Sequence, residues 1–501
     1  MKVPATVVNC LSLLASKVAP HVFDLSSGQF HVSLRDQIVR ARLLVQELLP
    51  ADSKGKSLLI IGAGAAGIAA AVAATHRGAR VILLEAEDAP MFLQSKVNKR
   101  YVGPFMYEWP WRFSGDQTYP PTDGNVCGAF DNLGDCPLFE AKHPLKASEF
   151  ARAMVRWLND HAVSEEGSLH VATSVKGISE GLKDYVVSFA ESASVFSDGN
   201  SSEKPKLNLE GINWWKNEPS CKEVVPDYIV LAAGMGDENV SLPRHDGKNP
   251  IAAPDFCGKR FWEDDDLQEL AGRGEDVVIV GGGDGALQDA LRALTADDHP
   301  LALVQRLFAE QQEKDSLEQE MEALRTIEAQ ARLQASWTLD GKVWAALDGR
   351  CKEIAGRLAE QSHIRQVVLN SLRKSSGEKD ASVTLLVREN FFDKAYLLNR
   401  FLVHLIDRVL VENEHEAKVA RCVRFRIEFS ANVIGVEEAK AGSFSVHFEI
   451  GGTMSVASGS CVAVRFGINK DSIPGLKMIS LTGEEKAMRT SFSHVPLPFL
   501  V

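Results

Sequence analysis

The chain has 501 residues, 45% hydrophobic and 24% charged, the make-up of an ordinary globular protein with room for two or three domains. Its formal net charge of −12 argues against nucleic acid or an anionic membrane surface as a partner, because both attract basic faces. No apolar stretch reaches the roughly 20 residues that span a bilayer, and eight scattered cysteines without a C-x-x-C pair suit a reducing, cytoplasmic setting with neither a disulfide framework nor a zinc site.

Residues 1–20 have one early lysine and an apolar middle, but Asn9, Cys10 and Ser12 interrupt the run and no clean A-x-A site follows. This pattern reads as a docking helix in preference to a secretion signal. The whole of 1–55 reads as a mostly helical preface, with amphipathic spacing over 35–49 and a breaker, PADSKGK, after it.

Residues 56–90 have the pattern strand, glycine turn, small-residue helix, strand, acid. Leu58 to Ile61 form a short apolar run suited to a strand buried on both faces. Gly62 permits the tight turn, Gly64 removes a side chain from the path of a diphosphate, and Gly67 lets the next helix pack close. Ala63, Ala65 and Ala66 keep the rest of the cradle small, and the helix N-terminus aims its N–H groups at the anion. Arg80 to Leu84 read as the second strand, and Glu85 at its end can accept from both ribose hydroxyls.

An irregular, aromatic stretch occupies 91–146, where Arg100, Tyr101, Tyr107, Trp109 and Trp111 offer walls for a planar ligand or a plug between domains. An amphipathic helix is expected over 147–162, strands near Leu169–Ile178 and Tyr185–Phe189, and an exposed polar loop over 193–225. His143 and His161 stand alone in the sequence, without partners at ligand spacing. PDYIVLAAGMG (226–236) then runs a buried strand into Ala233 and Gly234, where the backbone can approach a ligand closely.

EDVVIVGGGDGALQDALRAL (275–294) repeats the first pattern, with Gly281, Gly283 and Ala286 at the G-x-G-x-x-A positions. Asp284 sits at the helix start, where its charge competes with a phosphate unless it turns aside. Two stretches compete for the following strand: LALVQRL (301–307), which carries Arg306, and SVTLLVRE (382–389), which ends in Arg388 and Glu389. Either arginine can meet a 2′-phosphate, a weak preference for NADP over NAD. Between them, a Glu/Ala/Leu/Arg-rich block over about 307–375 reads as a helical insertion, a lid or a contact for a second copy or protein partner. Alternating strands follow over 421–466, and CVAVRFG (461–467) enters another glycine.

GAGAAG with Glu85, LAAG at 231–234 and GGGDGA at 281–286, in this order, resemble the two-dinucleotide-binding-domain flavoproteins, the group of thioredoxin reductases and flavin-containing monooxygenases. The resemblance spans about 56–470. It implies an α/β fold with two Rossmann-like domains: a helical segment (1–55), an FAD domain (56–270), an NAD(P) domain carrying the helical insertion (271–470) and a tail (471–501). It further implies FAD at the first turn, NADP or NAD at the second, and a small-molecule substrate. The redox-active cysteine pair of the reductases is missing, and the Gly-Asp element expected near the flavin is not evident after residue 467. The leading expectation is therefore an FAD-dependent oxidoreductase taking hydride from NAD(P)H to flavin and on to oxygen or an organic acceptor, as a monooxygenase does. An FAD-dependent amine or amino-acid oxidase and a non-catalytic flavin-binding sensor or scaffold are the alternatives. No residue is singled out as catalytic and no metal is expected.

Overall fold

The computed structural model describes residues 16–26, 33–103, 135–162, 168–175, 179–195, 204–307 and 342–479, apart from 142, 378, 379, 394, 440 and 441, together with residues 13 and 109 and several positions within 319–327. The N-terminal stretch before residue 13, Tyr107 and Trp111 lie outside the described residues. The chain forms two compact units assembled from non-consecutive stretches. Unit 1 comprises Met1–Val97, Asp116–Asp237 and Asn469–Val501, and unit 2 comprises Asn98–Gly115 and Glu238–Ile468.

Unit 1 is built on a seven-stranded sheet of β1 (Lys17–Ala19), β2 (Val22–Asp24), β3 (Ser57–Ile61), β4 (Arg80–Leu84), β5 (Ser168–Ala172), β6 (Trp214–Lys216) and β7 (Tyr228–Leu231). Their spatial order is β1-β2-β7-β3-β4-β5-β6. The inner strands β2, β7, β3, β4 and β5 run parallel, and the two edge strands pair antiparallel. The longer helices beside them are α1 (Leu34–Leu48), α2 (Ala65–His76), α3 (Ala147–Asp160) and α4 (Ser179–Val195). Helix α2, AAGIAAAVAATH, is buried almost all round, as a helix apolar on every side must be. Its alanines let α1 lie close against it.

Three sequence expectations for unit 1 are corrected. Residues 17–24, placed in the helical preface, form β1 and β2, because Val22 and Phe23 gain burial by extending the sheet beside β7. Tyr185–Phe189 belongs to α4: Leu182, Tyr185, Val186 and Phe189 recur at helical spacing and bury together against the sheet. The stretch expected as an exposed loop at 193–225 supplies edge strand β6 and buries Leu207, Leu209 and Val224.

Unit 2 contains a four-stranded parallel sheet of β8 (Val277–Val280), β9 (Ser382–Leu386), β10 (Arg424–Glu428) and β14 (Cys461–Val464), in the order β10-β9-β8-β14. An antiparallel sheet of β11 (Asn432–Glu438), β12 (Phe444–Ile450) and β13 (Thr453–Gly459) precedes the last strand. Its longer helices are α5 (Asp284–Leu294), α6 (Pro300–Leu307), α7 (Lys342–Ala359), α8 (Ser362–Ser371) and α9 (Leu397–Glu412). LALVQRL is thus helix α6, and the strand following α5 in the sheet is β9. Leu301, Leu303, Val304 and Leu307 bury on the inner side of α6.

The described part of the insertion is packed inward. Leu347, Cys351, Ile354 and Leu358 of α7 join the core containing α9, and Asp348 reaches Arg400 (3.1 Å) and His404 (2.8 Å). Trp109 is buried and stacks on Phe401 at 5.1 Å, so it is part of this core and not a ligand wall. No helix among the described residues is long and apolar enough to cross a membrane.

Two glycine turns and the candidate cofactor sites

Each unit presents a glycine turn where a central parallel strand meets its helix, at the carboxyl edge of the sheet where ligands of open α/β folds bind. In unit 1, Ile61 lies opposite Leu84 and Gly62 N–H donates to Leu84 O at 2.7 Å. In unit 2, Val280 lies opposite Leu386 and Gly281 N–H donates to Leu386 O at 2.9 Å. The shared register makes the turns correspond position by position. Gly62 matches Gly281, Ala63 matches Gly282, Gly64 matches Gly283, Gly67 matches Ala286, and Glu85 matches Val387.

The first turn has the form a diphosphate needs. Gly62 has φ +104°, and a Cβ on it would lie 2.3 Å from Ala232 O, so the end of β7 presses on the turn and brings Ala233 and Gly234 beside it. A Cβ on Gly67 would lie 1.8 Å from Gly62 O, which is the close packing of helix on strand. At Gly64 a Cβ would meet no protein atom within 4 Å. The cradle is open where the anion belongs, and α2 begins there with Gly64 as its N-cap.

Glu85 faces the turn. Its carboxylate accepts from Ala63 N–H at 2.6 Å and Glu87 N–H at 3.0 Å. Burial raises its pKa, opposed by those backbone donors. The oxygens are therefore held at the mouth of the cradle, where a ribose would sit. FAD fits this site on these grounds: an unfilled turn, a helix N-terminus and a fixed carboxylate.

The second turn keeps the opening and changes the sugar side. Gly281 has φ +138°, and a Cβ on it would lie 2.4 Å from Arg465 O. At Gly283 the nearest atom to a Cβ is Asp393 O at 3.7 Å, an ordinary contact, so the backbone remains approachable. Buried Val387 stands where Glu85 stands in unit 1, and its Cγ1 would lie 2.7 Å from a Cβ on Gly282. Residue 282 is glycine because the valine needs that space. Just beyond it, Arg388 is 85% exposed and only loosely paired with Glu389 at 3.8 Å.

Arg306 lies elsewhere. It is on α6, with its guanidinium paired to Asp297 and bonded to Ser371 Oγ at 2.8 Å. It neither ends a sheet strand nor adjoins the turn in the register, so the sequence reading that gave it a cofactor role has no support in the fold.

Asp284 turns onto the start of α9. Its oxygens accept from Tyr396 N–H (3.1 Å), Asn399 Nδ2 (2.7 Å) and Gln288 Nε2 (3.0 Å). Burial nevertheless raises its pKa to about 6, outweighing the hydrogen bonds from Asn399, Tyr396 and Gln288. A carboxyl whose folded pKa lies above its unfolded value stabilises the fold below the unfolded value, and that contribution fades as pH rises through about 6. Asp284→Asn keeps the shape without the charge. Because the side chain retains some solvent contact, we expect wild type to lose only about 2 kcal/mol relative to the variant between pH 4 and pH 7. Urea midpoints across that range test this, and parallel curves would refute it.

Behind the second turn lies a buried ionic cluster that the sequence did not signal. Asp289 of α5 receives Arg100 Nη1 (2.8 Å), Arg292 Nη1 (2.9 Å) and Arg465 Nε (2.8 Å), and Asp265 receives Arg292 Nη2 (2.8 Å) and Arg100 Nη2 (3.1 Å). Arg100 also lies over the Phe261 ring at 3.8 Å. Its role is structural, in contrast to the ligand wall expected for it.

Two parallel-sheet units, each with such a turn, define a two-dinucleotide protein of the Rossmann type. The chain belongs to the pyridine nucleotide-disulphide oxidoreductase family, whose pattern matches residues 56–328, more than half of its length. It is a flavin-dependent oxidoreductase with a place for a pyridine nucleotide. No curated protein matches it. Among solved structures it is similar to the bacillithiol disulfide reductase Bdr from Staphylococcus aureus, at 14% identity over 85% of this chain and 80% of that one, with a TM-score of 0.36. It is also similar to thioredoxin reductase from Lactococcus lactis (11%, 86% and 83%, 0.31) and to the FAD-bound cadaverine monooxygenase DfoA from Erwinia amylovora (9%, 84% and 80%, 0.36). All three TM-scores lie below 0.5, so the family match carries the assignment.

Proposed function

We propose that the chain takes hydride from NADPH onto FAD and passes it to oxygen or a small organic acceptor. FAD supplies hydride and oxygen chemistry when bound, and the chain supplies binding, orientation and shelter from water. In this reading Gly62, Ala63, Gly64, Ala65, Ala66 and Gly67 hold the FAD diphosphate, Glu85 grips its ribose, and Ala233 and Gly234 line the same site. Gly281, Gly283 and Ala286 hold the pyridine nucleotide. The observation that carries the choice of NADPH is Val387 in the place of Glu85, since a carboxylate there would repel a 2′-phosphate and valine does not. Exposed Arg388, one residue on, can pair with that phosphate.

A dithiol relay is not part of this reading. The cysteines never come closer in sequence than Cys127 and Cys136, and among the described residues Cys136, Cys221, Cys257, Cys351, Cys422 and Cys461 are in no disulfide. Anaerobic stopped-flow mixing with each nucleotide tests the proposal. NADPH should bleach the flavin, and a spectrum unchanged by both NADPH and NADH would defeat it. Gly283→Val should keep the colour and abolish the bleaching. For Arg388→Glu, selectivity for NADPH over NADH in reduction rate should fall on the order of 100-fold, about 2.7 kcal/mol. An unchanged ratio would place the 2′-phosphate contact on another residue.

A further inference from the structure

Unit 1 brings together three metal-ligating side chains that lie far apart in sequence. His76 is the last residue of α2, and His161 caps the C-terminus of α3. His76 Nε2 lies 2.7 Å from His161 Nδ1, and His161 Nε2 lies 3.3 Å from Asp135 Oδ2. One ligand atom from each residue falls within a 4.8 Å span. Both imidazoles stand at helix C-termini, where the negative dipole ends favour a cation.

We propose that His76 Nε2 and His161 Nδ1 ligate a divalent transition-metal ion of the zinc type, with Asp135 holding the other nitrogen of His161, at a site separate from the two glycine turns. The two imidazole nitrogens are ligands that such ions accept, with the remaining positions left to water, and Asp135 on the far nitrogen of His161 orients that ring and raises its basicity. His76 and His161 present Nε2 and Nδ1 to each other, and two ligands on a tetrahedral ion at about 2.0–2.1 Å stand roughly 3.3 Å apart. The pair needs to open by only about half an ångström to admit the ion between them. Asp135 Oδ2 also accepts from Trp157 Nε1 at 3.2 Å, which fixes the carboxylate from behind. Its other oxygen lies 4.0 Å from the Arg42 guanidinium, a further contact that orients the carboxylate toward His161. His161 and Asp135 are 27% and 38% exposed, so an ion can enter from solvent and keep water ligands.

The test is zinc titration of the full-length, chelator-treated, flavin-loaded protein, followed by calorimetry and repeated with cobalt for its visible absorption. One equivalent should bind at micromolar affinity or tighter. His76→Ala and His161→Ala should each weaken binding at least 10-fold, and the double variant at least 100-fold. His76→Gln, which keeps a polar side chain of similar reach, should show the same loss, and retained yellow colour reports an intact fold. No stoichiometric binding would leave the three residues as a hydrogen-bonded chain and overturn the proposal. Binding undiminished in the double variant would place the ion at other residues and overturn it equally.

Discussion

Gly64→Val is expected to yield a folded but colourless protein. The position has φ −76° and ψ −173°, extended backbone that valine adopts without strain. A Cβ there meets no protein atom within 4 Å, so the apoprotein should keep its stability to within about 0.5 kcal/mol. The branched side chain would instead occupy the space at the start of α2 where the diphosphate meets the backbone N–H groups. FAD affinity should fall on the order of 100-fold or more, about 2.7 kcal/mol at least. Gly67→Val serves as the contrast. Its Cβ would lie 1.8 Å from Gly62 O, so α2 could not pack on the strand and the unit would not fold. Flavin released per mole of protein, with far-ultraviolet circular dichroism, separates the two outcomes. A yellow Gly64→Val protein would remove the first turn from the FAD site.

Asp289→Ala should be the most destabilising single change in unit 2. The carboxylate is buried, and although burial pushes its pKa up, Arg100, Arg465 and Arg292 together hold it well below the usual carboxylate range. Removing it leaves three guanidinium groups facing one another with only Asp265 among them. Breaking a buried pair in this way typically costs about 3–5 kcal/mol. The damage should reach the second turn as well, since Arg465 O lies against Gly281 and Arg465 N–H donates to Val280 O at 2.8 Å.

The sign with pH is opposite to that at Asp284. A depressed folded pKa contributes stability that is present above the unfolded carboxylate range and lost as pH falls through the folded value. Wild type should therefore lose its advantage over Asp289→Ala in strong acid, below about pH 4. Chemical denaturation at neutral pH and near pH 3 would show this. A midpoint within about 0.5 kcal/mol of wild type at neutral pH would mean the arginines are satisfied without Asp289.

Whatever was contiguous and set by backbone form was legible from the amino acids alone. Strand, glycine turn, small-residue helix, strand and acid at 58–85 follow one another within a single local unit; Gly62 and Gly67 have a steric reason in the contacts a side chain there would make, while Gly64 faces open space. In the second turn Gly281 and Gly282 have the same kind of steric reason, and Gly283 stays approachable. Where an apolar run was short, helix and strand could not be told apart from periodicity, and Leu301–Leu307 and Tyr185–Phe189 both folded as helices. Long-range pairing decided the rest. The sheet neighbour of β8 comes from residue 382, beyond the helical insertion, and β2 joins the sheet only because β7, some two hundred residues later, offers it an edge. Asp289 with Arg100 and Arg465, and His76 with His161 and Asp135, are invisible to spacing because their members come from separate stretches of the chain. Local backbone chemistry wrote the two turns into the sequence, whereas charges brought together by packing exist only once the chain has closed on itself.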